Sequence, residues 1–168
     1  MNEKILLSGQ VLTYSGDPFV EAWQNCVQID SAGAVLMSGG MIEAVGSADA
    51  LRAAHPSARE VAYGEKLILP GFVDAHVHYP QTGIIASWGK RLIDWLNTYT
   101  FPEEMRFDDP EYATKIAELY LNLTLEHGTT TVCSYGTIHP NSVDAIFRSA
   151  ATNGQRIVAG KTSMDRNA

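Results

Sequence analysis

Long apolar runs are missing from this chain of 168 residues, although 45% of the residues are hydrophobic. A membrane-spanning helix needs roughly 20 consecutive apolar residues, and the apolar stretch at residues 5–7 is too short for the core of a signal peptide. We therefore expect no membrane partner and a cytoplasmic location.

Basic residues and cysteines are also scarce. The 12 Lys and Arg residues against 19 Asp and Glu residues give a net charge of −7, and only Cys26 and Cys133 carry thiols. An acidic chain does not favour nucleic acid as a partner. Two distant cysteines form neither a disulfide framework nor a metal-binding pair, so we predict that both are buried as small apolar residues. The motifs of cytidine-type deaminases, Walker loops, dinucleotide-binding turns and nucleophile elbows are missing too.

Residues 1–66 contain short apolar and β-branched runs separated by turns with glycine, which predicts a β-rich flanking segment that forms a small sheet or sandwich. The predicted strands are 5–14, 25–29, 34–37 and 41–45, with a turn at 31–33 and a short helix over 47–55.

From residue 67 to residue 168 the pattern alternates between strands and helices, which predicts an α/β fold with a parallel sheet. Asp109 before Pro110 marks a helix start, and Gly128 and Gly154 mark helix ends. A (β/α)8 barrel of the TIM type has eight strands, so we expect about the first three βα units of an incomplete barrel. The predicted strands are 72–78, 129–135 and 156–160, and the predicted helices are 91–98, one beginning at 108–110, and 141–153 with Asn141 or Ser142 as its cap.

Two histidines end the first of these strands. His76 and His78 are two residues apart, so in a strand their side chains point to the same face and could bind one metal ion. Imidazole is a good ligand for zinc and also for iron, although the spacing alone leaves a structural or surface pair as an alternative. Asp74 lies on the same face, either to orient a histidine by a hydrogen bond or as an interior or solvated aspartate.

The sequence LPGFVDAHVH at residues 69–78 resembles the first barrel strand of the amidohydrolase superfamily. Further segments resemble the guanine deaminase family within it: YPQ at 79–81, LIDWLNTYTFP at 92–102, HGTTT at 127–131 and GKTSMDRN at 160–167. The resemblance implies a TIM-type barrel preceded by a small β-sandwich, and one metal ion per subunit, zinc with iron as the alternative. In that family the metal activates a water that attacks C2 of guanine, and xanthine and ammonia are released.

The resemblance also implies roles for five residues. His76 and His78 would bind the metal, and His78 would line the guanine pocket together with Tyr79, Pro80 and Gln81. The amide of Gln81 offers both a donor and an acceptor to the base.

The other metal ligands and the proton shuttle of the family come from later strands. We therefore expect no catalytic residue within the chain, a proton shuttle beyond Ala168, a truncated chain that is inactive alone, and a homodimer at full length. Two alternatives stay open: another amidohydrolase, such as a cytosine deaminase or a chlorohydrolase, and a non-catalytic remnant that binds metal or a partner chain. We expect His127 to cap a helix and Trp95 to belong to the core. Lys161 is expected either to be structural or to support the metal ligands from behind.

Overall fold

A computed structural model describes residues 3–165 of the chain. The chain divides into two compact units, Met1–Pro70 and Gly71–Ala168. Within the described residues, no helix combines the length and the apolar character needed to cross a membrane.

The first unit is a four-stranded sheet with the strand order β3-β2-β1-β4. Strand β2 pairs antiparallel with β1 and with β3, whereas β4 runs parallel to β1. The buried residues Leu6, Ala34, Leu36 and Ala48 form its core, and Ala48 begins the helix that covers this face of the sheet. The elements are β1 (Lys4–Tyr14), α1 (Trp23–Cys26), β2 (Val27–Ser38), β3 (Met41–Ser47), α2 (Ala48–Ala54) and β4 (Arg59–Ile68).

The predicted turn at 31–33 is wrong, because β2 continues through it. Gly33 pairs with Gly9, and a register shift between Gly9 and Val11 accommodates the irregularity. A Cβ at Gly33 would lie 2.9 Å from the Val11 side chain, so this glycine permits a close approach between strands and does not make a turn. Most of β4, in which Leu67 and Ile68 pair with Gln10 and Val11, was not predicted.

The second unit is a three-stranded parallel sheet with the order β5-β6-β7. Between β5 and β6 lies a long helical connection that ends in the longest helix of the described chain, and one helix connects β6 to β7. The elements are β5 (Phe72–His78), a 3₁₀ turn (Tyr79–Ile84), α3 (Leu92–Trp95), a π turn (Leu96–Thr100), α4 (Phe101–Met105), a 3₁₀ turn (Arg106–Asp108), α5 (Pro110–Glu126), β6 (Thr129–Tyr135), α6 (Pro140–Asn153) and β7 (Arg156–Gly160).

The helix ends of this unit follow local chemistry. The Asp109 side chain accepts a hydrogen bond of 2.9 Å from the Glu111 backbone N–H, which confirms the predicted start of α5, and Gly154 ends α6 with a φ of 74° as predicted. The predicted cap of α6 is wrong: His139 takes the cap position. Ser142 lies inside the helix, where its hydroxyl accepts from the Thr137 N–H at 2.9 Å.

The two faces of the parallel sheet differ in burial. On one face Val132 packs with residues of α5 and α6, including Leu121 and Ile146. On the other face Cys133 is exposed, which corrects the prediction that both cysteines are buried; Cys26 is buried as predicted. The reason is strand alternation, because Cys133 and its neighbour Val132 point to opposite faces.

Candidate metal and ligand site

The histidine pair lies at the C-terminal end of β5. The ring centroids of His76 and His78 are 5.5 Å apart with an edge-on geometry. Val77 between them packs against the core, so both imidazoles point to the opposite face, as alternation in a strand requires. His76 is exposed and His78 is half-buried. The structure thus brings two good metal ligands together at one strand end.

A tyrosine that the sequence reading did not single out completes this aromatic group. Tyr135 is the last residue of β6 and is the register partner of His78. Its ring stacks on His78 with centroids 4.8 Å apart and lies 5.4 Å from the His76 ring. The ends of neighbouring parallel strands meet at one edge of a sheet, so the predicted strand 129–135 already contained the signal that could have found Tyr135.

Burial lowers the pKa of His78; the nearby Glu104 carboxylate opposes this effect, and His76 reinforces it. A lower pKa favours the neutral imidazole, which is the form that binds a metal ion.

Asp74 contacts His76 through the backbone. Its Oδ1 accepts a hydrogen bond of 3.1 Å from the His76 backbone N–H, at the point where the pairing between β5 and β6 is irregular. In this arrangement Asp74 fixes the local path of the strand, and a hydrogen bond from Asp74 to an imidazole ring stays a prediction.

Tyr79 and Pro80 lie in the core, whereas the resemblance implied that they line the guanine pocket. Both side chains are fully buried. The Tyr79 hydroxyl donates to the Ser142 carbonyl oxygen at 2.5 Å, and its backbone N–H donates to the Ser134 hydroxyl at 3.1 Å. These bonds attach the turn after β5 to α6 and β6. Tyr79 therefore fixes the position of the turn through these two hydrogen bonds.

Gln81, one residue further along this turn, faces a cleft. The cleft has a volume of about 580 Å³. Its apolar wall includes Trp95, which we had expected in the core; the Trp95 indole N–H donates to the Ser87 carbonyl oxygen at 3.1 Å. The lining residues that matter for chemistry are His76, His78, Gln81, Ile85, Trp95 and Tyr120.

Glu104 on α4 is a second residue that the sequence reading missed. The Gln81 side-chain amide donates to its Oε1 at 3.1 Å. The two residues are 23 positions apart in the chain, so no local pattern pointed to this contact.

His127, His139 and Lys161 do not line the cleft. His127 ends α5, with its Nδ1 2.8 Å from the Leu123 carbonyl oxygen, in agreement with the predicted capping role. His139 lies 3.4 Å from Asp108 at the start of α6. Lys161 is exposed, and its ammonium group donates to the Thr162 carbonyl oxygen at 2.9 Å.

The side chains at this site are of the right type for a metal ion, but there are too few of them for a complete site. Catalytic zinc has about three protein ligands and a water, and imidazoles are suitable ligands. Among residues 3–165, however, the structure contains no group of three or more His, Cys, Asp or Glu side chains placed to hold a metal. The described residues bring together two candidate metal ligands, His76 and His78.

Comparison with known proteins identifies the family. The family model described as "Amidohydrolase family" matches residues 67–168. This chain belongs to the amidohydrolase family. The model of an imidazolonepropionase-like composite domain of bacteria matches residues 33–58 of the first unit.

Several individual proteins resemble the chain. Guanine deaminase of Escherichia coli K12 is 49% identical over 106 residues, which cover 63% of this chain and 24% of that protein. The crystal structure of guanine deaminase from Bradyrhizobium japonicum superposes with a TM-score of 0.91 at 30% identity, and covers 99% of this chain and 36% of that one. Atrazine chlorohydrolase of Arthrobacter aurescens, solved with zinc, has a TM-score of 0.73 at 22% identity over 95% of this chain and 36% of its own, and shares the fold alone.

These matches confirm the predicted fold class, an α/β chain that corresponds to the N-terminal part of an amidohydrolase barrel. The chain spans about a quarter of the length of the curated relatives that it matches.

Proposed function

We propose that this chain supplies two metal ligands and one binding wall of a guanine deaminase, which hydrolyses guanine to xanthine and ammonia. One observation carries the proposal: two imidazoles and the Gln81 amide line a single cleft at the C-terminal end of a parallel strand. Such strand ends are where barrel enzymes build their active sites. The relatives named guanine deaminase support the choice of substrate.

His76 and His78 would hold the metal ion, and further ligands would come from outside the described residues. When bound, the metal would supply Lewis acidity and lower the pKa of a water. We favour zinc over iron because a solved chlorohydrolase of the same fold is complexed with zinc.

The cleft residues have separable tasks in this proposal. Gln81 hydrogen-bonds to the edge of the base, since its amide both donates and accepts hydrogen bonds. Ile85 and Trp95 offer an apolar wall to the flat ring. Tyr79 holds the turn that carries Gln81 through its two hydrogen bonds, and its neighbour Pro80 is buried. The burial that lowers the pKa of His78 keeps its ring ready to bind the metal.

A segment exchange tests the proposal on these residues. Residues 67–168 would replace the matching segment of the E. coli guanine deaminase. We expect this hybrid to hydrolyse guanine and to lose activity to background on His76→Ala. His127→Ala is the matched control, because His127 is exposed at the end of α5. A hybrid that keeps its activity after His76→Ala would contradict the proposal.

The 168-residue chain with added zinc provides the complementary measurement. Two metal ligands are too few for a catalytic zinc site, so we expect no guanine turnover. Turnover that disappears on His76→Ala would mean that the other ligands come from this chain or from a second copy of it. A panel with cytosine and chlorinated triazines in the hybrid tests whether another amidohydrolase activity is preferred.

For the whole protein we further propose a homodimer in the cytoplasm, without a nucleic acid or membrane partner. Light scattering of the purified full-length protein, at several concentrations, tests the dimer. A mass that stays at the monomer value would contradict it.

A further inference from the structure

The contact between Gln81 and Glu104 joins two elements at the edge of the cleft. Gln81 lies in the 3₁₀ turn after β5, and Glu104 lies in α4. The amide Nε2 donates to the carboxylate Oε1 at 3.1 Å. Both side chains are half-buried, so the hydrogen bond is partly shielded from water and is stronger than a fully exposed one.

The chemistry of the two groups fixes the amide. An ionised carboxylate only accepts hydrogen bonds, whereas a glutamine amide has a donating NH₂ end and an accepting oxygen end. The oxygen end cannot face Glu104, because two acceptors would then oppose each other. The bond to an ionised acceptor is also stronger than a bond between neutral groups. The hydrogen bond to Glu104 therefore uses the NH₂ end of the Gln81 amide and leaves its oxygen available to a ligand.

Glu104 is itself held in place by its neighbour. Glu103 is buried. It accepts from the Tyr112 hydroxyl and from Arg106. Its carboxylate also lies so close to Gly83 that a side chain at Gly83 would overlap it. These contacts fix α4 against both α5 and the 3₁₀ turn, so the distance between Glu104 and Gln81 does not depend on their own hydrogen bond alone.

We propose that Glu104 is a positioning residue that presents the Gln81 carbonyl oxygen and one remaining amide hydrogen to the ligand. This inference rests on the proposed function, in which Gln81 contacts the base. The free end of the amide then matches a nitrogen heterocycle in which a ring N–H lies next to an acceptor. Guanine has such edges. A heterocycle whose ring nitrogens are all methylated or all acceptors does not match.

Nuclear magnetic resonance of the 168-residue chain tests the inference without requiring activity. The two amide protons of the Gln81 side chain, assigned with Gln81→Ala, report on the hydrogen bond through their exchange with solvent. We expect Glu104→Ala to speed the slower proton by at least about fivefold, the factor that a hydrogen bond of ordinary net strength provides. Glu104→Gln keeps an acceptor and should restore part of the protection. Glu118→Gln, on the exposed side of α5, is the matched control and should change nothing.

Guanine kinetics of the hybrid enzyme that carries residues 67–168 separate the two proposals. We expect Glu104→Ala to raise the KM for guanine in the hybrid while His127→Ala leaves it unchanged. Unchanged amide exchange in Glu104→Ala, or unchanged guanine affinity despite altered exchange, would overturn the role of Glu104. A hybrid enzyme that neither binds nor hydrolyses guanine would instead contradict the proposed function and remove the ligand part of the inference.

Discussion

Two buried tyrosines of the same core differ in whether their hydroxyl group makes a hydrogen bond. The ring centroids of Tyr79 and Tyr120 are 5.9 Å apart, and their side chains are 0% and 6% exposed. The Tyr79 hydroxyl donates to the Ser142 carbonyl oxygen, whereas the Tyr120 hydroxyl has no hydrogen-bond partner among the described residues. The same substitution, tyrosine to phenylalanine, should therefore have different effects at the two positions.

The expected magnitudes follow from hydrogen bonding. Tyr79→Phe removes a buried hydrogen bond and takes a partner from a buried carbonyl, so the free energy of unfolding should fall by about 1–3 kcal/mol. Tyr120→Phe removes a buried hydroxyl that makes no bond, so unfolding should cost the same or up to about 1 kcal/mol more. Neither change alters the shape of the core, because the ring is retained.

Urea unfolding followed by circular dichroism and tryptophan fluorescence measures both variants. We expect Tyr79→Phe to lower the midpoint, with an unchanged slope, and Tyr120→Phe to leave the midpoint unchanged or raise it. Equal losses in the two variants would refute the reasoning, since they would mean that the bond from Tyr79 to Ser142 adds no stability.

Three further predictions concern other parts of the chain. Cys133 should react with a thiol reagent in the folded protein while Cys26 reacts only after unfolding, because only the first thiol is exposed; equal rates would contradict this. Arg52 and Ser8 lower the pKa of Glu60 from 4.5 to about 2, so the ionised Glu60 stabilises the fold above pH 4.5 and this contribution is lost as the pH falls to about 2. The Glu60→Gln variant should therefore lose less stability than the wild type between pH 4.5 and pH 2 in urea unfolding. Gly154→Ala should destabilise by about 1–2 kcal/mol in thermal unfolding, because the left-handed conformation strains any residue with a Cβ; open space around this position excludes a clash as the cause.

The sequence predicted best where local chemistry decides the structure. The start of α5 at Pro110, the bounds of β6 and β7, and the end of α6 at Gly154 agree with the structure. Each depends on a cap, a proline, a glycine or a β-branched run, which are visible within a few residues. The histidine pair belongs to the same class, because its spacing and the strand period place both rings on one face.

The failures share a different cause, which is contact between distant residues. Strand β4 is mostly exposed and its apolar residues are interrupted by charged ones, so its apolar signal is weak and the strand is held by pairing with β1. The burial of Tyr79 depends on Ser142 in a later helix. Glu104 meets Gln81 through the packing of α4, which a pattern of residue types along one element does not contain.

The placement of both histidines on a single strand affects the order in which a metal centre can assemble. A site whose ligands come from separate strands exists only after the chain has closed the loops between them, and the conformational entropy of those loops opposes it. His76 and His78 need only an extended β5, which pairing with β6 holds in place. An ion could therefore be captured by these two rings before any third ligand arrives, and capture would favour the strand pairing that presents them. If the two histidines bind the metal as proposed, metal supply would then influence folding of the chain.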